Sequence, residues 1–370
     1  MLFQYCDTLP GGAFVAICNA YEQFIFPRLL LIVKYVVRSV LVFAILGIIP
    51  AAITLVWIDT IINVLFILLS IYYVTQKLNV KIKISCLNLP LLKEISSYSF
   101  WIFLTAIVMS LQWNVGQLIL GISKNTIIVA VYGVGILLGG YYGAFAGAIN
   151  TLMLPRATQM TVEDNVDSYN TAIQKIGRFN GFISFLILTG FILFGKDFIK
   201  LWIGENYIKA WEIALLIMIA MTLPLLQAFG SSILEAKKKN RYRSMISLLT
   251  ISGAAIVGIF LVPKYSIEGI IYPLFVALII NSLIMSIYYR KIFGFKIFSF
   301  FYNVILKIIL PIAPLLFLFM FVKKKSSITG WLDLIIYVVG FCLAYALVIY
   351  MLIMNKEEKN ILQIKLKNKN

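Results

Sequence analysis

The chain has 370 residues, of which 62% are hydrophobic and 13% are charged, and its mean hydropathy is +0.97. A soluble core does not need this much apolar sequence, so the composition excludes a soluble domain and, despite the net charge of +17, a nucleic-acid-binding protein. Histidine is absent and the four cysteines are scattered without a CxxC pair. We therefore expect no metal site, disulfide framework or cofactor.

Apolar segments, most of them close to 20 residues long, follow one another along the whole chain. They span 2–20, 27–48, 51–75, 98–121, 126–154, 179–195, 210–234, 244–262, 267–288, 304–322 and 331–354. Each has the character of a membrane-crossing helix, and the loops between them leave no room for an extramembrane domain. The predicted fold class is an all-α polytopic membrane protein with about eleven transmembrane helices.

Lysine and arginine are distributed unequally between the two sets of loops. The richer set, with the C-terminal tail, holds Arg28, Lys77, Lys81, Lys83, Lys93, Arg156, Lys175, Arg178, Lys237, Lys238, Lys239, Arg241, Arg243, Arg290, Lys291, Lys296, Lys356, Lys359, Lys365, Lys367 and Lys369. The poorer set holds Lys124, Lys196, Lys200, Lys209, Lys264, Lys323, Lys324 and Lys325. Because cytoplasmic loops carry the excess of positive residues, the richer set and the C-terminus are predicted to be cytoplasmic.

The second segment carries positive charge inside an apolar stretch, at Arg28, Lys34 and Arg38. Lys34 and Arg38 are four residues apart and share one helix face. They have two interpretations: snorkelling to the headgroups, or lining a wet cavity that attracts an anion. Arg38 is too deep for easy snorkelling, which favours the cavity. Acidic residues are scarce in the spans, and Asp59 is predicted to lie near the outer end of the third.

Polar amides lie in the middle of the fourth segment, within SLQWNVGQLILG, at Gln112, Asn114 and Gln117. An amide in lipid must find a partner, so these side chains face other helices or water. They are candidates for lining a cavity, and hydrogen bonding between helices is the structural alternative.

Glycine recurs every four residues in the fifth segment, at Gly135, Gly139, Gly143 and Gly147. This spacing produces a thin helix face that allows close packing against another helix. Static packing explains it, and a surface that slides during a conformational change is the functional alternative.

Several stretches together resemble one family. They are AICNAYEQFIFPRLLLIVKYVVRSVLVF, SYSFWIFLTAIVMSLQWNVGQLILGISKNTIIVAVYGVG, LMLPRATQM and the region around KKKNRYRSMISLLTISGAAIVG. The chain is similar over essentially its whole length to bacterial polysaccharide flippases, which handle O-antigen and capsule repeat units. These belong to the multidrug/oligosaccharidyl-lipid/polysaccharide exporter superfamily. The patterns are diffuse, and one departs from the family: relatives often carry an acidic residue where this chain has Gln117, which puts a cation-coupling role there in doubt.

The resemblance implies a MATE-like fold of two six-helix lobes around a cationic cavity, with two extra C-terminal helices. Mapped onto this chain, residues 1–97 are a partial N-lobe that lacks its first helices, 98–290 are the C-lobe, and 291–370 are the extra helices and basic tail. Arg28, Lys34 and Arg38 then bind substrate in the cavity.

The implied function is transport without catalysis. A polyprenyl-diphosphate-linked oligosaccharide would cross the inner membrane by alternating access. Membrane lipids and, as further partners, a polysaccharide polymerase and chain-length machinery are also implied. The alternatives are a multidrug exporter, which would favour an acidic cavity, a membrane-embedded polymerase, which would need a large outer loop, and a non-transporting scaffold, which would leave Arg38 unexplained.

Overall fold

The structure is a computed structural model that describes residues 12–18, 21, 23, 25–47, 52–78, 80, 89–123, 126–147, 153–163, 165–237, 239–325, 328–356 and 358–359. Every regular element within these ranges is helical, and no strand occurs there. Nine helices of the described ranges are long and apolar enough to cross a membrane. They are Ile53–Lys77, Ser99–Ser123, Thr126–Phe145, Val166–Ile203, Glu205–Leu226, Arg241–Tyr265, Glu268–Phe293, Ile297–Lys324 and Trp331–Ile353. The all-α polytopic fold class is confirmed.

The predicted count of eleven spans is approximate. The last nine predicted segments, from 51–75 to 331–354, each overlap one of the nine helices. The second segment forms a helix, Ile25–Leu46, that is not among the nine. The first segment, 2–20, lies largely outside the described residues, although residues 12–18 are helical.

The chain divides into two compact units, residues 1–92 and 93–370. The three predicted domains, with boundaries at 97 and 290, stay a prediction. The first unit contains helix α1 (Ile25–Leu46) and helix α2 (Ala52–Tyr72), which pack against each other. A π-helical turn, Tyr73–Lys77, continues α2.

Contacts at two levels give the α1–α2 pair an antiparallel register. Phe26, near the start of α1, stacks on Tyr73 beyond the end of α2, with ring centroids 3.6 Å apart. Between the helices, Ile58, Ile62 and Phe66 of α2 form a small buried cluster. Apolar burial of this kind is the main force that holds the two helices together.

The second unit is a helical bundle, and the unit boundary lies within the first turn of its first helix, which begins at Leu89. Its helices are α3 (Leu89–Ser123), α4 (Thr126–Gly147), α5 (Leu154–Glu163), α6 (Val166–Ile203), α7 (Lys209–Leu226), α8 (Ala228–Ala236), α9 (Asn240–Tyr265), α10 (Glu268–Phe293), α11 (Ile297–Phe300), α12 (Lys307–Lys325) and α13 (Trp331–Val348). The π-helical turns Phe301–Leu306 and Ile349–Ile353 precede α12 and follow α13. Helix α6 is buried along most of its length and packs against α7, α12 and α13.

Helix α6 is much longer than the predicted segment 179–195. Its start is capped by Asn165, whose Oδ1 accepts hydrogen bonds from the backbone N–H groups of Asp167 and Ser168, at 2.9 and 3.3 Å. Consequently Lys175 and Arg178, which the charge distribution assigned to a loop, lie within the helix. That assignment was wrong, because a helix that extends beyond the apolar stretch carries polar residues on its own turns.

The predicted segment 210–234 is not one continuous helix. Helix α7 ends at Leu226, and α8 begins at Ala228 after an interruption at Gln227. Pro224 has no backbone N–H to donate, which weakens the last turn of α7. The buried Asn180 side chain donates to the carbonyl of Leu225 at 3.0 Å and so satisfies a backbone acceptor at the break.

Candidate functional site

The first candidate site is the face of α1 that meets α2. Leu30, Lys34, Arg38 and Val42 follow one another at four-residue intervals and therefore share this face. Leu30 and Val42 pack against the buried cluster of α2. The two cations thus lie between apolar contacts within the helix pair.

Arg38 forms an ion pair with Asp59 of α2. Its Nε donates to Oδ1 at 2.6 Å, and an Nη atom donates to Oδ2 at 3.0 Å. The Arg38 side chain is 45% exposed and that of Asp59 only 12%, so the carboxylate is the better enclosed partner. This two-point geometry is the strong form of an arginine–carboxylate contact. The positive charge of Arg38 is therefore balanced within the first unit.

Sequence reasoning did not predict this pair. Asp59 was expected near the outer end of its span, which is the start of α2 in the predicted topology, and it lies in the first half of that helix, level with Arg38. A signal was available, since the acidic residue of the third apolar segment follows directly after a segment that carries three basic residues. Nothing in their spacing along the chain indicated that the two faces meet.

Lys34 and Arg28 differ from Arg38 in having no partner within the described part of the chain. Lys34 is half-buried and Arg28 is exposed, and neither forms a hydrogen bond or ion pair there. The register that joins Arg38 to Asp59 places Lys34 level with Asn63, which is buried in α2. Lys34 is thus a cation on the same face as the balanced pair, with a polar neighbour at its level.

The three amides of α3 occupy three different environments. Gln112 is buried and lines a cavity of the second unit. Asn114 donates to the carbonyl of Ser110 on its own helix at 3.0 Å. Gln117 lies against α4, where a Cβ on Gly133 would be 3.2 Å from its Nε2 atom. Of the three candidates for lining a cavity, the structure places Gln112 on this one.

This cavity, the polar cavity below, has a volume of about 150 Å³ and is built by α3, α7, α8, α9 and α10. Its lining residues are Thr105, Val108, Met109, Gln112, Trp113, Met221, Pro224, Gln227, Ser231, Arg243, Ser244, Ser247, Leu278, Asn281, Ser282, Met285 and Tyr289. The interruption between α7 and α8 lies on its wall. Interrupted helices expose backbone and polar groups at membrane depth, where transporters place binding sites.

Hydrogen bonds between helices hold the walls of the polar cavity in place. The Gln227 side chain donates to the Ser286 hydroxyl at 2.9 Å, which links the helix break to α10. The hydroxyl groups of Ser231 and Tyr289 are 2.8 Å apart. These bonds pair polar side chains of the helix break and of α8 with partners on α10, and so connect these walls of the cavity.

The glycines of α4 lie against α7. A Cβ at Gly135 would be 2.6 Å from Ile213, and one at Gly139 would be 2.7 Å from Ile217. A Cβ at Gly143 would be 3.0 Å from Met221, whose side chain lines the polar cavity. The glycine face therefore sets the distance between α4 and α7, one wall of the cavity. Gly147 is the last residue of α4.

A buried ion pair between Arg178 and Glu358 is a feature that the sequence did not indicate. Arg178 Nε donates to Glu358 Oε1 at 2.6 Å, and an Nη atom donates to Oε2 at 3.0 Å. Arg178 also donates to the carbonyls of Asn303 and Ile353, at 3.0 and 2.7 Å. Both carbonyls belong to π-helical turns, whose wider spacing disturbs the regular hydrogen-bond pattern. The network connects α6 to the turn before α12 and to the segment that follows α13.

Among the residues that the structure describes, no group of three or more histidine, cysteine, aspartate or glutamate side chains could hold a metal ion.

Comparison with known proteins gives a family and a fold. Residues 13–212, just over half of the chain, match the sequence profile of a family described as polysaccharide biosynthesis protein. No curated protein matches the chain. A solved structure described as the lipid II flippase MurJ, inward closed conformation, is similar with a TM-score of 0.69 and 15% sequence identity. The match covers 93% of this chain and 71% of that chain. At this identity the likeness shows the fold alone.

Proposed function

Because the chain belongs to the polysaccharide biosynthesis protein family, we propose that it flips polyprenyl-diphosphate-linked oligosaccharide repeat units across a membrane. The repeat units would serve cell-surface polysaccharide synthesis. The fold shared with a lipid II flippase supports a lipid-linked substrate. The protein acts as a transporter and makes or breaks no covalent bond.

The observation that carries this proposal is the placement of Lys34. It lies half-buried on the α1 face, one turn from the Arg38–Asp59 pair, and has no partner among the described side chains. A diphosphate brings negative charge into a region of low dielectric, and an amine there offsets part of that cost. Lys34 supplies the uncompensated charge, and Asp59 holds Arg38 in a fixed orientation beside it.

The mechanism follows from these roles. The diphosphate binds at Lys34 in the inward-facing state, and Arg38 offers the guanidinium N–H groups that Asp59 does not use. Alternating access then exposes the bound headgroup to the other leaflet. Arg28, which is exposed at the start of α1, attracts the anion at the entrance.

The proposed location is the bacterial inner membrane, with the C-terminus in the cytoplasm. The unequal distribution of lysine and arginine between the two sets of loops supports this orientation. A polysaccharide polymerase and chain-length machinery would receive the flipped repeat units.

The test is substitution in the chromosome of the organism that encodes the protein, with lipid-linked intermediates and surface polysaccharide measured at matched protein levels. Lys34→Ala should cause lipid-linked repeat units to accumulate on the cytoplasmic leaflet, about tenfold or more above wild type, because a charge-assisted contact is lost. Lys34→Arg keeps the charge and should retain part of the activity. Lys77→Ala removes an exposed cation of the same unit and is the matched control.

Two results would overturn the proposal. The first is normal surface polysaccharide in a strain that lacks the gene, because the proposed transport would then not be required for polysaccharide synthesis. The second is equal export by Lys34→Ala and Lys77→Ala, because Lys34 would then not supply the charge that binds the diphosphate. A deletion strain that exports another class of lipid-linked precursor poorly, with intact polysaccharide, would assign the protein to that precursor.

A further inference from the structure

We infer that the polar cavity of the second unit is a binding site for a phosphate-bearing anion, held by Arg243. The inference goes beyond the proposed function, because it concerns different residues in a different unit and can be tested by binding alone. It rests on the charge, the donors and the size of the cavity.

Among the described residues that line the cavity, Arg243 is the one that carries a charge. It is half-buried in the first turns of α9 and has no hydrogen bond or ion pair with any described residue. A partly desolvated guanidinium that lacks an acceptor is costly unless something supplies one. No carboxylate in the described lining does so. An anion that enters the cavity would balance this charge.

Two cations near Arg243 in sequence, Arg241 and Lys237, have aromatic partners. Arg241 lies over the ring of Trp101, with its guanidinium carbon 5.0 Å from the ring centroid. Lys237 lies over the ring of Tyr169 at 5.1 Å. Both have aromatic partners that stabilise a cation, whereas Arg243 faces the cavity. Among the described members of this positive run, Arg243 is thus the residue that lines the cavity.

The lining also offers donors without matching acceptors. Asn281 Oδ1 accepts from the Ser247 hydroxyl at 3.3 Å, which leaves the amide N–H groups of Asn281 for a ligand. The buried Gln112 side chain makes no hydrogen bond with the described residues and contributes a second amide. Guanidinium and amide N–H groups together suit a ligand whose exposed atoms are all acceptors. Phosphate oxygens meet that requirement, and the guanidinium fork binds two of them at once.

The size of the cavity limits what it holds. About 150 Å³ accommodates one phosphate group with a few waters, and not an oligosaccharide. A phosphate of this kind has two possible sources, the headgroup of a lipid or a free phosphate in solution. The chemistry of recognition is the same for both, so the experiment must separate them.

The experiment measures binding to the purified full chain in a phosphate-free detergent. The probes are undecaprenyl diphosphate, dioleoyl phosphatidic acid and inorganic pyrophosphate, each titrated to obtain a Kd. Arg243→Gln should weaken binding of at least one probe about tenfold, since a charge-assisted contact is lost. Arg243→Lys keeps the charge without the fork and should fall between Arg243→Gln and wild type. Arg241→Gln, the same substitution two residues away, should stay within about twofold of wild type.

The ranking of the three probes identifies the source. Tighter binding of either lipid than of pyrophosphate assigns a headgroup, and the reverse assigns free phosphate. Equal Kd values for wild type and Arg243→Gln with every probe, or no binding of any probe to wild type, would overturn the inference, as would an equal loss in Arg241→Gln. Unliganded thermal unfolding of each variant shows that it is folded. Failure of the Lys34 transport test would leave these results unchanged.

Discussion

Arg38 and Arg178 form the same kind of ion pair in very different surroundings. Each guanidinium holds both oxygens of one carboxylate, and in each pair the Nε–O distance is 2.6 Å. The side chains of Arg38 and Asp59 are 45% and 12% exposed, whereas those of Arg178 and Glu358 are 7% and 5% exposed. Equal geometry therefore does not mean equal contribution to stability.

The difference lies in what surrounds each pair. Arg178 donates to two backbone carbonyls as well as to Glu358, which itself accepts from the backbone N–H of Asn355 at 2.8 Å. This buried pair, with its additional backbone bonds, joins segments that are distant in sequence. The Arg38 pair lies between two helices of the first unit and keeps part of its surface open. The buried pair is largely shielded from water, whereas the open pair can exchange part of its bonding with water.

The largest expected effect comes from breaking the buried pair. Glu358→Ala should lower the free energy of unfolding by about 3–5 kcal/mol, because Arg178 is left charged and buried without its carboxylate. Denaturant titration in detergent measures the loss. Glu205→Ala removes a carboxylate from an exposed pair with Lys200 and should produce no measurable change. Equal unfolding midpoints for Glu358→Ala and wild type would refute the structural role.

A smaller effect is expected from disturbing the close contact between α4 and α7 in the second unit. Gly139→Ala should lower the free energy of unfolding by about 1–3 kcal/mol, since the new Cβ would lie 2.7 Å from Ile217. At Gly140 the new Cβ would lie 3.9 Å from Trp113, an ordinary contact, and alanine favours helix. Gly140→Ala should therefore be neutral or stabilising. The prediction fails if both variants unfold alike.

The open pair should contribute less than the buried one. Asp59→Ala should lower the free energy of unfolding by about 1 kcal/mol or less, because the exposed part of Arg38 can be solvated. The double variant Arg38→Asp/Asp59→Arg restores the pair and should recover this stability. A loss from Asp59→Ala as large as that from Glu358→Ala would erase the contrast between the two pairs.

The smallest effect is expected at the exposed end of α1. Arg28→Gln should change the free energy of unfolding by no more than about 0.5 kcal/mol, because Arg28 is exposed and has no partner in the described ranges. The same denaturant titration applies. A change comparable to that of Asp59→Ala would place Arg28 within the ion-pair network of the first unit.

Local pattern was enough to predict the class and most of the spans. Hydropathy alone located nine segments that became membrane-length helices, since the requirement for about 20 apolar residues is a property of the segment itself. Four-residue spacing likewise predicted that Lys34 and Arg38 share a face. It also grouped the glycines of α4, because helical periodicity is local.

Local sequence pattern could not predict which residues of different helices contact each other. The two members of the open pair are 21 residues apart and those of the buried pair 180. Helical periodicity says which residues share a face, but not which helix that face meets. For the same reason Gln112, Asn114 and Gln117 were equivalent in sequence, and only packing separated one that lines a cavity from two that do not line it.

The sequence by itself determined a multi-pass helical membrane protein with positive charge on one face of its second segment. The tertiary structure decided that Arg38 is balanced by Asp59, that Lys34 has no partner among the described residues, and that Arg178 lies in a buried ion pair within a helix. The physical reason is that the energy of a charge depends on its solvent exposure and on its partners. In this chain those partners come from helices that only the fold brings together.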